Sequence, residues 1–214
     1  MRGVVLLSGG LDSGVAAALF AAHSGQQLVA AVFCDYGQRA AQPEHAAATR
    51  LAQRFGVPLT VLALPWLGTL ARAAGSALLA GGGELPRGTA ARPGDAASAA
   101  RVWVPARNAL FVAAAAAVAE SCGADAVVAG FNREEAATFP DNSAEFVAAA
   151  TALLRLGTRS GVRVVSPTLA FDKPQIRAAA LRLGFTAADF WSCYEGGAQP
   201  CGTCESCLRS RFAR

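Results

Sequence analysis

Two groups of residues, one near each end of the chain, have the types and spacing of chemical sites. Near the N-terminus, residues 8–13 read Ser-Gly-Gly-Leu-Asp-Ser and directly follow the apolar run 3–7. Near the C-terminus lie Cys193, Cys201, Cys204 and Cys207, separated by seven, two and two residues. The first pattern favours an anion and the second a metal ion.

Residues 8–13 have the features of a phosphate-binding turn between a strand and a helix. Glycines let backbone N–H groups approach an anion, Ser8 and Ser13 add hydroxyls, and a helix N-terminus supplies partial positive charge. Asp12 would repel phosphate, so it is predicted to hold Mg²⁺ against the phosphates. The segment has neither the lysine of a Walker A loop nor a G-x-G-x-x-G pattern. A capped, glycine-rich turn without a ligand is the alternative.

The cysteine spacing predicts a structural zinc site, with one ion per chain. Two Cys-x-x-Cys turns bring thiolates to one ion, and four thiolates fill a tetrahedral shell that leaves no open position for catalysis. A redox-active Cys-x-x-Cys pair and a pair of disulfides are the alternatives.

Further segments carry a family resemblance over about residues 4–208. Residues 8–13 resemble the pyrophosphate loop of the N-type ATP pyrophosphatases. Four more motifs, in chain order, resemble those of the 7-cyano-7-deazaguanine synthase family: Phe-Cys-Asp-Tyr-Gly-Gln-Arg at 33–39, Trp-Val-Pro-Ala-Arg-Asn at 103–108, Phe-Pro-Asp-Asn-Ser at 139–143 and Trp-Ser-Cys-Tyr at 191–194.

The resemblance implies an ATP-dependent ligase for queuosine and archaeosine synthesis. The enzyme would convert 7-carboxy-7-deazaguanine and ammonia into the nitrile, through an adenylated carboxylate, an amide and an adenylated amide. ATP with Mg²⁺ would be the cosubstrate, and the resemblance also favours a homodimer. The net charge of +4 is too mildly basic for a nucleic-acid-binding arm, so no direct nucleic-acid partner is expected.

The residue types and the resemblance together give a set of candidate site residues. The candidate catalytic residues are Asp12, Ser13, Arg107 and Lys173. The candidate ATP-binding residues are Leu7, Ser8, Gly9, Gly10, Leu11, Asp12, Ser13, Gly14, Phe33 and Gly130. The candidate substrate-binding residues are Asp35, Tyr36, Gln38, Arg39, Asn108, Asn132, Glu135 and Asp141. The candidate metal ligands are Cys193, Cys201, Cys204 and Cys207.

Two positions depart from the family pattern, and both are expected near the deazapurine. Ala40 stands where the family commonly has histidine, and Asn142-Ser143 stands where it commonly has Cys-Arg. An enzyme that stops at the amide, or attaches the deazaguanine to another molecule, is therefore an alternative. Two further alternatives are a tRNA sulfur transferase of the same superfamily, with a reactive cysteine, and a non-enzymatic zinc module.

Lysine usage singles out one position. Lys173 is the only lysine among 19 cationic residues, which indicates that a compact ammonium is needed there. It follows Asp172 and precedes Pro174 at a predicted helix start, where a cation is more plausible if an anion lies nearby. An ordinary surface lysine is the alternative.

The order of apolar runs predicts a doubly wound, Rossmann-like parallel α/β sheet of the adenine nucleotide alpha hydrolase type. Predicted strands lie near 3–7, 28–34, 58–62, 126–130 and 162–165, and predicted helices near 14–24, 43–55, 107–122, 143–156 and 174–183. Residues 75–100, rich in Gly, Ala, Pro and Ser, are predicted to be a mobile insertion. The expected division is an α/β domain at 1–185 and a zinc-binding segment at 186–214.

Composition and charge set further limits. Hydrophobic residues make up 53% of the chain, but the longest apolar run, 109–119, is too short to cross a bilayer. With no secretory signal, a cytoplasmic location is expected. The net charge of +4 is mildly basic. Arg209, Arg211 and Arg214 are interpreted as a solvated tail, and Glu44 and Glu134 as solvated side chains.

Overall fold

The central element is a parallel sheet, seen in a computed structural model that describes residues 1–87 and 95–210. Its strands are β1 (Arg2–Leu6), β2 (Gln27–Asp35), β3 (Leu59–Ala63), β4 (Ala126–Val128) and β5 (Arg163–Val165). They are ordered β3-β2-β1-β4-β5, and every neighbouring pair is parallel. Each predicted strand corresponds to one of these five, which confirms the predicted fold class.

Nine α-helices connect or flank the strands in the described part of the chain. They are α1 (Leu11–Ala22), α2 (Ala41–Phe55), α3 (Pro65–Ala73), α4 (Ala96–Arg101), α5 (Arg107–Ser121), α6 (Arg133–Ala136), α7 (Ala144–Gly157), α8 (Lys173–Arg182) and α9 (Glu205–Arg209). Short 3₁₀ helices occupy Pro140–Asn142 and Ala187–Asp189.

The sheet is covered on both faces because successive strand residues point to opposite sides. Val5 packs into a core cluster with residues of α1, α2 and α8, including Leu51 and Ile176. Its neighbour Val4 packs into a second cluster with residues of α5 and α7, including Val112. Both valines have no exposed surface. Because a cluster covers each face of the sheet, strand residues that point to either side are apolar.

The five long helices match those predicted from the sequence, whereas four shorter ones were not predicted. These are α3, α4, α6 and α9, of which α6 has four residues and α9 has five. Helices this short have little periodicity and depend on tertiary contacts. Two of them, α6 and α9, contribute to the candidate site.

The segment 75–100 was predicted to be a mobile insertion, and the structure describes its residues 75–87 and 95–100. Leu78, Leu79 and Leu85 are buried in a third apolar cluster with α3 residues such as Leu67. The Arg39 guanidinium donates to the Ala77 carbonyl at 2.9 Å. These described parts are packed on the body of the protein, whereas residues 88–94 lie outside the described residues.

Capping side chains fix the starts of two helices near the site. At α8, the Asp172 carboxylate accepts from the Gln175 N–H at 2.9 Å, and the Gln175 side chain accepts from the Asp172 N–H at 2.9 Å. At α7, the Ser143 hydroxyl accepts from the Phe146 N–H at 3.1 Å. Such caps satisfy helix N–H groups that have no partner within the helix. The first of them places Lys173 at the start of α8.

The strand order creates a natural ligand position. The chain runs from β1 outward to β2 and β3, and later to β4 and β5 on the other side of β1. In such sheets the crevice lies beyond the carboxyl ends of the strands at the point where the order reverses. Residues 8–13 follow β1 and Gly130 follows β4, so both lie at this point.

A helix that crosses a bilayer must be both long and apolar. No helix within residues 1–87 and 95–210 has both the length and the apolar character that this requires.

Candidate active site

A cavity of about 260 Å³ lies at the carboxyl ends of β1, β2 and β4. It brings together most of the candidate residues from the sequence. Those that line it are Leu7, Ser8, Gly10, Leu11, Asp12, Ser13, Phe33, Tyr36, Gln38, Arg107, Asn108, Gly130, Glu135 and Lys173.

The loop after β1 is held in shape by its own hydroxyls. The Ser8 and Ser13 hydroxyl oxygens lie 3.0 Å apart, and the Ser13 hydroxyl donates to the Gly10 carbonyl at 3.1 Å. Gly10 is the N-cap of α1 and makes no side-chain capping bond. The first N–H groups of α1 are therefore oriented toward a ligand position, as at an anion site.

Two glycines allow the close approach that this loop needs. Gly9 has a φ of +80°, and a Cβ there would collide with the Glu44 carbonyl oxygen of α2. A Cβ on Gly130 would lie 2.6 Å from the Ser13 nitrogen and 2.7 Å from the Asp12 carbonyl carbon. Only glycine fits at either position without displacing backbone.

The single lysine is buried between two carboxylates. The Lys173 side chain is 6% exposed, and its Nζ donates to Asp12 Oδ2 and to Glu135 Oε1, both at 2.6 Å. Burial alone would lower the pKa of this ammonium, but the two carboxylates outweigh it, so the pKa of Lys173 is raised and the group stays charged. The prediction that Lys173 lies beside anionic groups is confirmed, and the surface alternative is wrong.

The other oxygen of Asp12 is one of the unsatisfied polar atoms of the described site. Asp12 Oδ1 is buried and has no hydrogen-bond partner in the described part of the chain. A buried carboxylate oxygen without a partner is costly unless a ligand completes it. A hard cation such as Mg²⁺ prefers such oxygens, so the residues present fit a nucleotide-bound cation.

Arg107 projects into the cavity from a strained helix start. The preceding residue, Ala106, has a φ of 53° and is the one non-glycine residue with positive φ in the described chain. Arg107 hydrogen bonds the Tyr36 hydroxyl, and Asn108 Nδ2 donates to the Asp141 carbonyl at 3.2 Å. Left-handed backbone at a non-glycine residue is found mainly where function requires it.

Six candidate residues do not line the cavity: Gly9, Gly14, Asp35, Arg39, Asn132 and Asp141. Asp35 accepts the Gly37 N–H at 2.9 Å, so it shapes the turn after β2. The Asn132 side chain caps α6 by accepting the Glu135 N–H at 2.9 Å. A Cβ on Gly14 would meet the Phe190 ring at 2.6 Å, so this glycine serves packing.

Two residues interpreted as solvated from the sequence line the cavity instead. Glu44 lies there with its Oε2 accepting from Gln38 Nε2 at 2.9 Å, and burial raises the pKa of Glu44 to about 7. The Arg209 side chain is 6% exposed and pairs with Glu205 at 3.0 Å and with Glu134 at 3.9 Å. The solvated interpretations of Glu44 and Arg209 were wrong. The hydrophobic periodicity of the sequence indicated neither position, because contacts with distant parts of the chain bury Arg209 and half-bury Glu44. Arg211 and Arg214 lie outside the described residues.

The four C-terminal cysteines form the predicted cluster. Their Sγ atoms all lie within 4.8 Å of one another, and all four are free thiols rather than disulfides. Four thiolates around zinc hold their sulfurs about 3.8 Å apart, so a modest contraction completes a tetrahedral shell. The N–H groups of Cys201 and Cys204 donate to the Sγ atoms of Cys193 and Cys201, both at 3.3 Å. The donor set therefore fits a metal ion.

The cysteine segment forms one wall of the cavity. Cys204 is the N-cap of α9, and Cys207 lies within that helix. The same helix contributes Glu205, Ser206 and Arg209 to the cavity lining. Upstream, the Trp191 N–H donates to the Gly9 carbonyl at 2.9 Å, which joins the segment to the pyrophosphate-type loop.

The match to a protein-family model shows which family this chain belongs to. Residues 2–213 match the family model described as "Queuosine biosynthesis protein QueC". The chain belongs to this family. The site described above is therefore the site of a QueC-family protein, and the resemblance seen in the motifs is confirmed.

Curated relatives carry one name. The "7-cyano-7-deazaguanine synthase" of Desulforudis audaxviator is 44% identical over 218 residues, covering 100% of this chain and 96% of the relative. The protein of the same name from Methanothermobacter thermautotrophicus is 42% identical over 217 residues, covering 100% and 94%. That from Bdellovibrio bacteriovorus is 44% identical over 214 residues, covering 98% and 91%.

Solved structures support the fold of the QueC-family chain. The U34-tRNA thiolase NcsA from Methanococcus maripaludis, with its [4Fe-4S] cluster, has a TM-score of 0.50 at 17% identity and covers 88% of this chain and 59% of its own. The NMN synthetase from Francisella tularensis has a TM-score of 0.51 at 15% identity, covering 94% and 70%. At these identities the likeness concerns the fold alone.

The two departures from the QueC-family pattern have different positions. Ala40 is buried at the N-cap of α2 and does not line the cavity. Asn142 is buried, lines the cavity and donates from Nδ2 to Asp141 Oδ1 at 3.3 Å, whereas Ser143 caps α7. Of these residues, Asn142 is the one placed to contact a ligand.

Proposed function

We propose that this chain converts 7-carboxy-7-deazaguanine, ammonia and ATP into 7-cyano-7-deazaguanine for queuosine or archaeosine synthesis. The observation that carries the proposal is that the loop at 8–13, the unpartnered Asp12 oxygen and Arg107 line one cavity. Full-length similarity to the named synthases supports the choice of substrate.

In this proposal the loop binds ATP and orients it. The N–H groups at the start of α1, with the Ser8 and Ser13 hydroxyls, hold the β and γ phosphates. Asp12 would hold Mg²⁺, which neutralises phosphate charge when it is bound. Gly130 permits the close approach of β4 to this loop.

Arg107 is assigned to the α phosphate, where the substrate carboxylate attacks. The Lys173 ammonium is already shared by Asp12 and Glu135, so its main role is to hold these two carboxylates in place. Arg107 also lines the cavity and can stabilise the negative charge that develops during adenylation. Ammonia then displaces AMP to give the amide, and a second ATP activates the amide oxygen.

The remaining assignments are part of the same proposal. Tyr36, Phe33 and Asn108 line the cavity and are proposed to contact the bases. We also propose that the metal in the cysteine cluster is structural zinc, and that the enzyme is a cytoplasmic homodimer acting on small molecules. The mild net charge of +4 supports the absence of a nucleic-acid substrate.

An assay of the purified protein tests the proposal. The protein is incubated with 7-carboxy-7-deazaguanine, ATP, Mg²⁺ and ammonium, beside Asp12→Ala, and the products are resolved by mass. We expect the nitrile, AMP and pyrophosphate from the wild type and none from the variant. If the wild type forms no AMP, the assignment of 7-carboxy-7-deazaguanine as the substrate is wrong, and only the family assignment remains.

A second candidate is an enzyme that stops at the amide. Asn142 favours it, because this departure from the family pattern lies in the cavity lining. Accumulation of the amide by the wild type, with one AMP formed per acid consumed, would establish this candidate.

The cavity cysteine argues against a sulfur transferase. Cys34 lines the cavity, but burial raises its pKa to about 12, so the thiol is protonated at neutral pH. A protonated thiol is a poor nucleophile. The remaining described cysteines are the metal cluster and the half-buried Cys122.

A further inference from the structure

Glu44 occupies an unusual place beside the pyrophosphate-type loop. It lies in the first turn of α2 and lines the cavity. Its backbone carbonyl packs against Gly9, so closely that no other residue fits at position 9. The backbone of Glu44 therefore lies next to the loop proposed to hold the phosphates, and Glu44 lines the same cavity as that loop.

The cavity carboxylates differ in how their charge is compensated. Asp12 and Glu135 share the Lys173 ammonium, and Glu205 pairs with Arg209. Glu44 has no ion pair within 4.0 Å among the described residues, and its recorded partner is the neutral Gln38 amide. Among the described cavity carboxylates, Glu44 is thus the one without a cationic side chain as partner.

Gln38 serves to position Glu44. Its Oε1 accepts the Tyr36 N–H at 3.0 Å, and its Nε2 donates to the Cys34 carbonyl at 3.3 Å and to Glu44 Oε2 at 2.9 Å. Both amide protons are therefore engaged within the protein. This leaves the second oxygen of Glu44 as the polar atom that the pair presents to a ligand.

We propose that Glu44 binds the incoming ammonium ion and accepts a proton from it, so that ammonia is formed beside the adenylated acid. This inference rests on the proposed function and adds a catalytic residue to it. A compact cation with four N–H donors suits a carboxylate that lacks a cationic partner. The resulting ammonia lies in a cavity that also holds the activated carboxyl carbon.

The proton balance of amide formation requires such a group. One N–H bond of ammonium breaks and an O–H bond forms on Glu44. The nitrogen lone pair then attacks the acyl carbon, and the C–O bond to AMP breaks. A second proton leaves the nitrogen as the neutral amide forms. Two protons are therefore released for each amide, and a carboxylate in the cavity provides the first acceptor.

The charged and titratable groups around Glu44 support this role. The Gln38 hydrogen bond and Arg107 of α5 lower the pKa of Glu44, whereas Asp35 at the end of β2 raises it. Burial is the largest influence and raises the pKa of Glu44 to about 7. A base works best when its pKa lies near the working pH.

Two partial reactions test the inference. Exchange of labelled pyrophosphate into ATP, with 7-carboxy-7-deazaguanine and no ammonium, reports adenylation alone. Amide formation with ammonium reports the later step. Glu44→Gln is compared with Glu84→Gln, which removes the same charge from an exposed position outside the cavity. Far-ultraviolet circular dichroism establishes that both variants are folded.

We expect Glu44→Gln to keep its exchange rate within about twofold while amide formation at pH 7 falls about 100-fold, the ordinary size of a general-base effect. The residual rate should rise about tenfold per pH unit, because it depends on free ammonia. The wild-type rate should level off above the pKa of Glu44. Glu84→Gln should match the wild type in both reactions.

Three outcomes would overturn the inference, and they are distinguishable. Equal pH profiles for Glu44→Gln and the wild type would exclude proton transfer to Glu44. A higher KM for the acid in the exchange reaction, at unchanged maximal rate, would assign Glu44 to recognition of the deazapurine instead. Absence of exchange in the wild type would overturn the proposed function, and this inference with it.

Discussion

The two walls of the cavity are built in different ways. One wall, formed by the loop at 8–13 and Lys173, rests on the sheet, where Val4 and Val5 are fully buried between two apolar clusters. The other wall is α9, a five-residue helix whose N-cap and third residue are cysteines of the metal cluster. A helix of this length is not stable alone. The first wall therefore rests on the hydrophobic core, whereas the second rests on a four-cysteine cluster that could hold a metal ion.

The largest effect is expected when the buried ammonium of the first wall is removed. Lys173→Met leaves Asp12 and Glu135 as neighbouring carboxylates without their cation. Removing one partner of a buried pair costs about 3–5 kcal/mol, and the partial exposure of these carboxylates favours the lower end. Urea unfolding measures the loss, with exposed Arg182→Met of the same helix as the control. Equal midpoints for the two variants would contradict the central role of Lys173.

Loss of the metal is expected to break the second wall and spare the first. Chelation, or Cys204→Ser, should release α9 and with it Arg209 from the cavity. ATP affinity should fall about tenfold or more, since a buried cation and one wall are lost. The Trp191 fluorescence should shift to longer wavelength, because its indole N–H donates to the Cys193 carbonyl at 2.8 Å.

The control for metal loss is Cys122→Ser, which lies outside the cluster. The far-ultraviolet circular dichroism of the apoprotein should remain close to that of the wild type, because the five strands are held by other contacts. If chelation unfolded the sheet together with α9, the two walls would not be stabilised independently, and the prediction would be wrong.

A smaller effect is expected from one added methyl group in the first wall. Gly130→Ala places a Cβ against the backbone of Asp12 and Ser13. Overpacking of this kind costs about 1–3 kcal/mol and should move the loop, which raises the KM for ATP. Gly157→Ala is the matched control, since a Cβ there has no heavy atom within 4 Å. Unchanged ATP kinetics in Gly130→Ala would show that the loop tolerates displacement.

The smallest effect is expected at Ala106. Its φ of 53° is strained for alanine, so Ala106→Gly should relieve that strain and stabilise the protein by less than about 1 kcal/mol, because glycine also loses more entropy on folding. The same change should loosen Arg107 and lower kcat. Thermal unfolding and steady-state kinetics measure the two effects. A rise in both stability and kcat would contradict a positioning role for the strained backbone.

Much of this molecule was predictable from the sequence because its signals are local. The apolar runs fixed the five strands and the five long helices, since strand and helix periods differ. The loop at 8–13 predicted an anion site, and the cysteine spacing predicted that the four cysteines would come together, as they do. Because the chain has one lysine, the sequence predicted a special role for Lys173, and the structure places its ammonium between two carboxylates.

The contributions of Glu44, Arg209 and the short helix α9 were decided only by the tertiary structure. Glu44 is drawn into the cavity by Gln38 and by the packing of Gly9 against α2. Arg209 is buried on the same short helix as Cys207 and pairs there with Glu205 at 3.0 Å. Sequence determined which chemistry the chain carries, since backbone and donor requirements are local. Burial and charge pairing depend on residues far apart in the sequence, so only the fold determined which cavity carboxylates are paired with a cationic side chain.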